Sequence, residues 1–170
     1  MSKLRLKISL SLDGFVAGAD QSVDNPLGVG GMRLHERSMH GLEGGEENES
    51  SRVVEESLDN IGSTIMGRNM FGGHPGPWDA ANPWSGWWGM NPPFHHPVFV
   101  LTHHARKPLE LEGGTTFMFV TGGIETALAQ ARRVAAGKDV SLAGGASAAQ
   151  QFSSPDWWTR RRMPSHGIRP

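Results

Sequence analysis

Apolar and polar positions alternate strictly where the sequence begins. Leu4, Leu6, Ile8, Leu10 and Leu12 are separated by Arg5, Lys7, Ser9 and Ser11. A period of two predicts one strand over residues 4–12 with a single buried face, stopped by the turn formers Asp13 and Gly14. Residues 15–45 are glycine-rich and aperiodic, which predicts a long loop with one short helical turn over residues 34–39. In "SSRVVEESLDNIG" a serine cap precedes Val54, Leu58 and Ile61, predicting a short helix closed by Gly62. A brief strand over 64–66 runs into "GRNMF", and residues 72–97 form a second irregular stretch rich in Trp, Pro and Gly. The continuous apolar run "VFVL" at 98–101 predicts a strand covered on both faces. Another strand follows at 115–120. The clearest helix is "GIETALAQARRVA", with Ile124, Leu128, Ala131 and Ala135 on one stripe. Its Glu125 sits in the first turn and Arg132 and Arg133 in the last, matching the helix dipole. "DVSLAGG" returns as a strand, and "ASAAQQF" opens a further helix.

Strand, helix, strand at this spacing is a parallel crossover unit, so the fold class is α/β with a largely parallel sheet. The length, 170 residues, suits one domain. A formal charge of −1 supplies no field that would favour nucleic acid or a membrane surface. The absence of cysteine excludes a disulfide framework and a thiolate metal site. No apolar run approaches the roughly 18 residues of a membrane helix, and the first residues lack the apolar core of a signal peptide. A cytoplasmic location is the expectation.

Ligands of open α/β sheets bind beyond the carboxyl ends of the strands, and four such ends carry distinctive residues. Gly144, Gly145 and Ala146 join a strand to a helix; the glycines let a backbone approach a ligand, and the free helix N–H groups favour an anion. The plain alternative is a tight strand-to-helix turn. Gly67 and Arg68 follow the strand at 64–66, where a guanidinium fork suits a phosphate, against the alternative of a solvated arginine. Thr102, His103 and His104 follow "VFVL" and offer hydroxyl and imidazole contacts to the same anion. Asp13 ends the first strand; it is a weak catalytic candidate beside the simpler role of turn former.

The histidines and tryptophans offer two rival chemistries. His95, His96, His103 and His104 bracket one strand, but eight residues at roughly 3.3 Å each put the pairs about 26 Å apart. A metal needs its ligands within about 2 Å, so the two pairs share no ion, and only a pair joined by His35, His40 or His74 would serve. No metal site is expected. The "PWSGWWG" cluster offers stacking surfaces for a sugar or base, although packing of a long loop accounts for it equally.

In order, "SLDGFVAG", "IMGRNMFGG", "FVLTHH" and "LAGGASAAQQF" resemble the dihydrofolate reductase-like superfamily, most of all its riboflavin-biosynthesis reductase branch. The likeness spans residues 1–152 as one reductase domain and implies a three-layer sandwich. It implies a cytoplasmic oxidoreductase that binds NADPH and passes a hydride to a small heterocyclic substrate, a ribosylaminopyrimidine phosphate or a pterin. By that resemblance Gly67 and Arg68 approach the cofactor, Arg68 at the adenosine 2′-phosphate. Leu101, Thr102 and His103 flank the adenosine, Gly144, Gly145 and Ala146 hold the pyrophosphate, and Ala17 lies near the nicotinamide. The pterin-directed carboxylate of dihydrofolate reductases has no assured counterpart, since Glu36, Glu43 and Glu46 all lie in the ambiguous loop. A homodimer is implied by analogy. Two alternatives stand beside this reading: an inactive nucleotide-binding remnant, and a metal- or carbohydrate-binding protein.

Residues 153–170 depart from the pattern. Relatives of this kind continue with a segment like "GLVDE" and strands that complete the sheet, whereas this chain has Pro155, Asp156, Trp157, Trp158 and Thr159. Read from the third base of the Asp codon, Asp-Trp-Trp-Thr becomes Leu-Val-Asp whatever the synonymous choices. The tail therefore reads as the expected segment in a shifted frame, with the last strands missing. The alternative is a divergent tail with a coincidental match.

Overall fold

Parallel strands need crossovers long enough to carry the chain back along the sheet, and the segments between the apolar runs supply them. The computed structural model describes residues 2–36 and 49–153. In chain order the elements are β1 (Leu4–Leu6), α1 (Glu49–Leu58), β2 (Ile61–Gly67), α2 (Arg68–Phe71), β3 (Pro97–Leu101), β4 (Leu109–Glu110), a 3-10 turn (Glu112–Gly114), β5 (Thr116–Val120), α3 (Gly123–Val134), β6 (Asp139–Gly144) and α4 (Ala146–Phe152). Residues 33–36 form a helical turn. The sheet has six strands in the order β1-β6-β2-β3-β5-β4. All its pairings are parallel except that of β4 with β5. The expected α/β class with a mostly parallel sheet is what the chain adopts, in an arrangement compatible with three layers.

Alternation along the strands divides the apolar side chains between two faces. Ile65, Phe99, Val140 and Leu142 point to one face, where Ala127, Leu128 and Ala131 of α3 and Phe152 of α4 cover them. Met66, Val98, Val100 and Phe117 point to the other, beneath Phe71, Trp78, Trp84, Trp88 and Phe94. One outer layer is helical and the other is an aromatic loop. Several of its ring pairs meet edge to face: Trp84 lies 4.6 Å from Trp87, and Trp88 lies 5.0 Å from Phe94.

Three local expectations are corrected. The predicted strand over 4–12 pairs only at Leu4–Leu6. Alternation sets which face is apolar, but a strand also needs a partner ladder, and β6 turns away at Gly144 into α4. Ser11 then folds the chain, its hydroxyl accepting a bond from the Phe15 N–H at 2.9 Å. Gly62 does not close a helix: α1 ends at Leu58, Asn60 takes the left-handed conformation (φ 57°), and Gly62 lies within β2. A side chain there would meet the Ala135 carbonyl oxygen at 2.6 Å, so the glycine serves close approach of strand to helix end. The strand expected at 64–66 extends to seven residues because it is paired on both sides.

The helical turn expected over 34–39 is present at 33–36. Residues 37–39, Glu43, Glu46 and the tail from residue 154 lie outside the described residues.

Candidate functional site

The parallel register sets the carboxyl ends of the strands along one rim. Met66 lies opposite Gly144, Gly67 opposite Leu101, and Leu101 opposite Val120. Three of the four sequence stations, Gly67-Arg68, Leu101-Thr102-His103 and Gly144-Gly145-Ala146, therefore share a single edge of the sheet. The fourth, the chain after β1, reaches the same edge beside β6.

At that end the loop around Gly14–Gly18 stands away from α4 and leaves a cleft of about 370 Å³. Its walls are mainly apolar, including Ile8, Leu10, Phe15, Ala17, Ala146 and Ala149. Ala17 and Ala146, chosen separately from the sequence, line the same space. The loop holds its shape through backbone packing: Gly18 and Gly31 leave no room for a side chain against Val29 and Leu27, and the Gly18 N–H donates to the Leu27 carbonyl at 2.8 Å. A Cβ added at Gly145 would meet nothing within 4 Å, whereas one at Gly67 would sit 3.5 Å from the Ala148 Cβ. The peptide between Gly144 and Gly145 is cis. Asp13 is exposed in the turn closed by Ser11 and Phe15.

Gly67, Arg68, Leu101, Thr102 and His103 do not line the cleft; they continue the rim away from it. Thr102 is buried, its N–H bonded to the Val120 carbonyl at 3.1 Å and its hydroxyl accepting from the His104 N–H at 3.1 Å. His103 is exposed. Arg68 is half-buried, with its guanidinium carbon 3.5 Å from the centroid of Trp78. Its terminal nitrogens donate to the carbonyls of Gly72 and His74. Among the described residues its buried Nε has no hydrogen-bond partner.

Arg106 was not singled out from the sequence. Its guanidinium carbon lies 5.0 Å from the same indole and 5.0 Å from Phe119, and it donates to the Trp84 carbonyl at 2.5 Å. Burial first, then the charge of Arg106, lowers the pKa of Arg68 below the usual arginine range. Among the described residues neither arginine stands in an ion pair, whereas Arg5 pairs with Asp139. A local signal existed: Arg106 stands five residues beyond the end of β3, in the segment that crosses the rim.

No group of three or more His, Asp or Glu side chains placed to hold a metal occurs among the described residues. No helix there is long and apolar enough to cross a membrane. Comparison with known proteins returned no matching family model and no matching curated protein.

Proposed function

We propose that the chain is an NADPH-dependent reductase acting on a small heterocyclic acceptor, of the dihydrofolate reductase-like kind. One observation carries this most: the cleft that Ala17 and Ala146 line together. Its volume lies in the range of small-molecule sites, which are mostly apolar with a few polar groups at the edge. The rim supplies those groups. The open face of Gly145 fits close approach of a pyrophosphate, and the two arginines beside Trp78 fit the phosphate-bearing end of a dinucleotide. NADPH, when bound, supplies the hydride. The protein's part is orientation: the apolar walls around Ala17 exclude water and offer flat surface to a ring.

A second reading, a nucleotide-binding module without turnover, has its own support. None of the residues lining the cleft is Asp, Glu or His, so the described residues place no carboxyl or imidazole there to exchange a proton with a substrate.

Titrating the purified chain with NADPH, while following energy transfer from its tryptophans, tests both. Saturable binding that weakens at least about tenfold in Ala17→Gln, which fills the cleft, is expected, followed by oxidation of NADPH with a pyrimidine or pterin acceptor. Binding without oxidation by any acceptor would select the second reading. A folded protein that binds neither NADPH nor NADH would remove both.

A further inference from the structure

Gln21, Gln150 and Ser153 are the polar side chains among the residues that line the cleft, and none of the lining residues is charged. Gln21 and Gln150 are exposed, so they stand at its mouth. A neutral flat ring suits such a space, whereas a phosphate would find no cation there.

Gln21 is held in one orientation. The chain turns tightly over residues 22–25: the Ser22 N–H donates to the Asn25 carbonyl at 3.0 Å, and the Asn25 N–H donates to the Ser22 hydroxyl at 3.0 Å. Gln21 braces this turn, its Nε2 donating to the Pro26 carbonyl at 2.7 Å. A carbonyl oxygen only accepts, so the amide nitrogen is the end that faces Pro26. The other end, Oε1, is thereby fixed as an acceptor. On the opposite wall, α4 carries the second amide, Gln150.

We propose that Gln21 sets the specificity of the cleft: its Oε1 accepts from the N–H edge of the flat ring bound there, and the Gln150 amide donates to that ring's carbonyl. This rests on the reductase reading, in which the carboxamide of the nicotinamide presents both groups. An acceptor ring that bears an amino group beside a carbonyl presents the same pair. Against a ligand that puts a methyl group where the N–H belongs, Oε1 is left without its partner, which is the usual origin of strong discrimination between isosteres.

Titrating the full chain with NADPH and with its acetylpyridine analogue, whose methyl ketone keeps the carbonyl but loses the donor, tests this. The wild type is expected to prefer NADPH about tenfold. Gln21→Leu removes the acceptor but also the bond to Pro26, so the ratio of the two affinities is the informative quantity. A residue that only braced the loop would weaken both ligands alike and keep the ratio. Gln21→Leu is expected to bind the two alike, and Gln150→Leu to weaken both equally, each variant checked for folding by circular dichroism. A donor edge belonging to the acceptor would instead leave the cofactor ratio near one. Gln21→Leu would then raise the KM of an amino-bearing acceptor and not that of its counterpart without the amino group. An NADPH preference that survives in Gln21→Leu, or a wild type that discriminates in neither arm, would overturn the proposal and leave the reductase reading standing. A folded chain that binds no nicotinamide nucleotide would remove that reading, and the proposal with it.

Discussion

Arg68 sits over Trp78, its guanidinium carbon 3.5 Å from the ring centroid, and donates to two carbonyls of the loop that carries that tryptophan. The residue expected to grip a phosphate is thereby also the clasp of the aromatic layer. Arg68→Ala should destabilise the fold by about 1–3 kcal/mol through the lost cation–π contact and charged hydrogen bonds. Arg68→Lys should recover only part of this, since an ammonium lacks the planar fork. Urea unfolding of the three proteins is the measurement; equal midpoints would show that the contact contributes nothing.

His96 predicts a pH dependence. It is half-buried, and its Nε2 lies 2.7 Å from the hydroxyl of buried Thr64. Burial first, then the charges of His95 and Lys138, lowers its pKa to about 4. The unfolded chain, with an ordinary histidine near 6.5, binds the proton more readily. Stability is thus complete above about pH 6.5 and falls as pH drops toward 4, by about 1–2 kcal/mol once solvent screening is allowed for. In His96→Gln this slope should flatten in thermal melts between pH 4 and 7.

Asp139 ties β1 to β6. It is buried, accepts from the Lys3 N–H at 2.6 Å and pairs with Arg5 at 2.5 Å. Burial alone would raise its pKa, but the Lys3 N–H and the Arg5 guanidinium outweigh it and hold the carboxyl below the ordinary value. Asp139→Asn should cost about 2–4 kcal/mol at neutral pH. The loss should shrink as pH falls through the native pKa, because the wild type then loses the same charge. A variant as stable as wild type at pH 7 would contradict this.

Gly62→Ala should also destabilise, by about 1–3 kcal/mol, since backbone rather than a movable side chain occupies the space. Gly145→Ala, where the space is open, should leave the melting temperature nearly unchanged and act instead on NADPH binding. A combined thermal-shift and titration experiment separates the two.

The parallel core was legible in the sequence because its signals are local. "VFVL" and "DVSLAGG" are apolar enough to be buried whatever surrounds them, and α3 shows its stripe and its charged ends together. The strand rim followed from topology, which is why Gly67, Leu101 and Gly144 were found together. Residues 7–12 were misread because pairing is not local: whether an alternating segment becomes a strand depends on the length of its neighbour. Arg106 was missed for a similar reason, since only the folded loop brings it beside Trp78. Gly62 resembled a helix stop, and its actual role depends on Ala135, more than seventy residues away.

The order of the strands also sets a schedule. β1 is made first, yet its partner in the sheet is β6, with Leu4 against Val140 and Leu6 against Leu142. At roughly 5–20 residues per second of synthesis, the first leucines leave the ribosome on the order of ten seconds or more before the strand that shelters them exists. The sheet cannot close from its beginning, and for that interval the first leucines have no partner strand to pack beside.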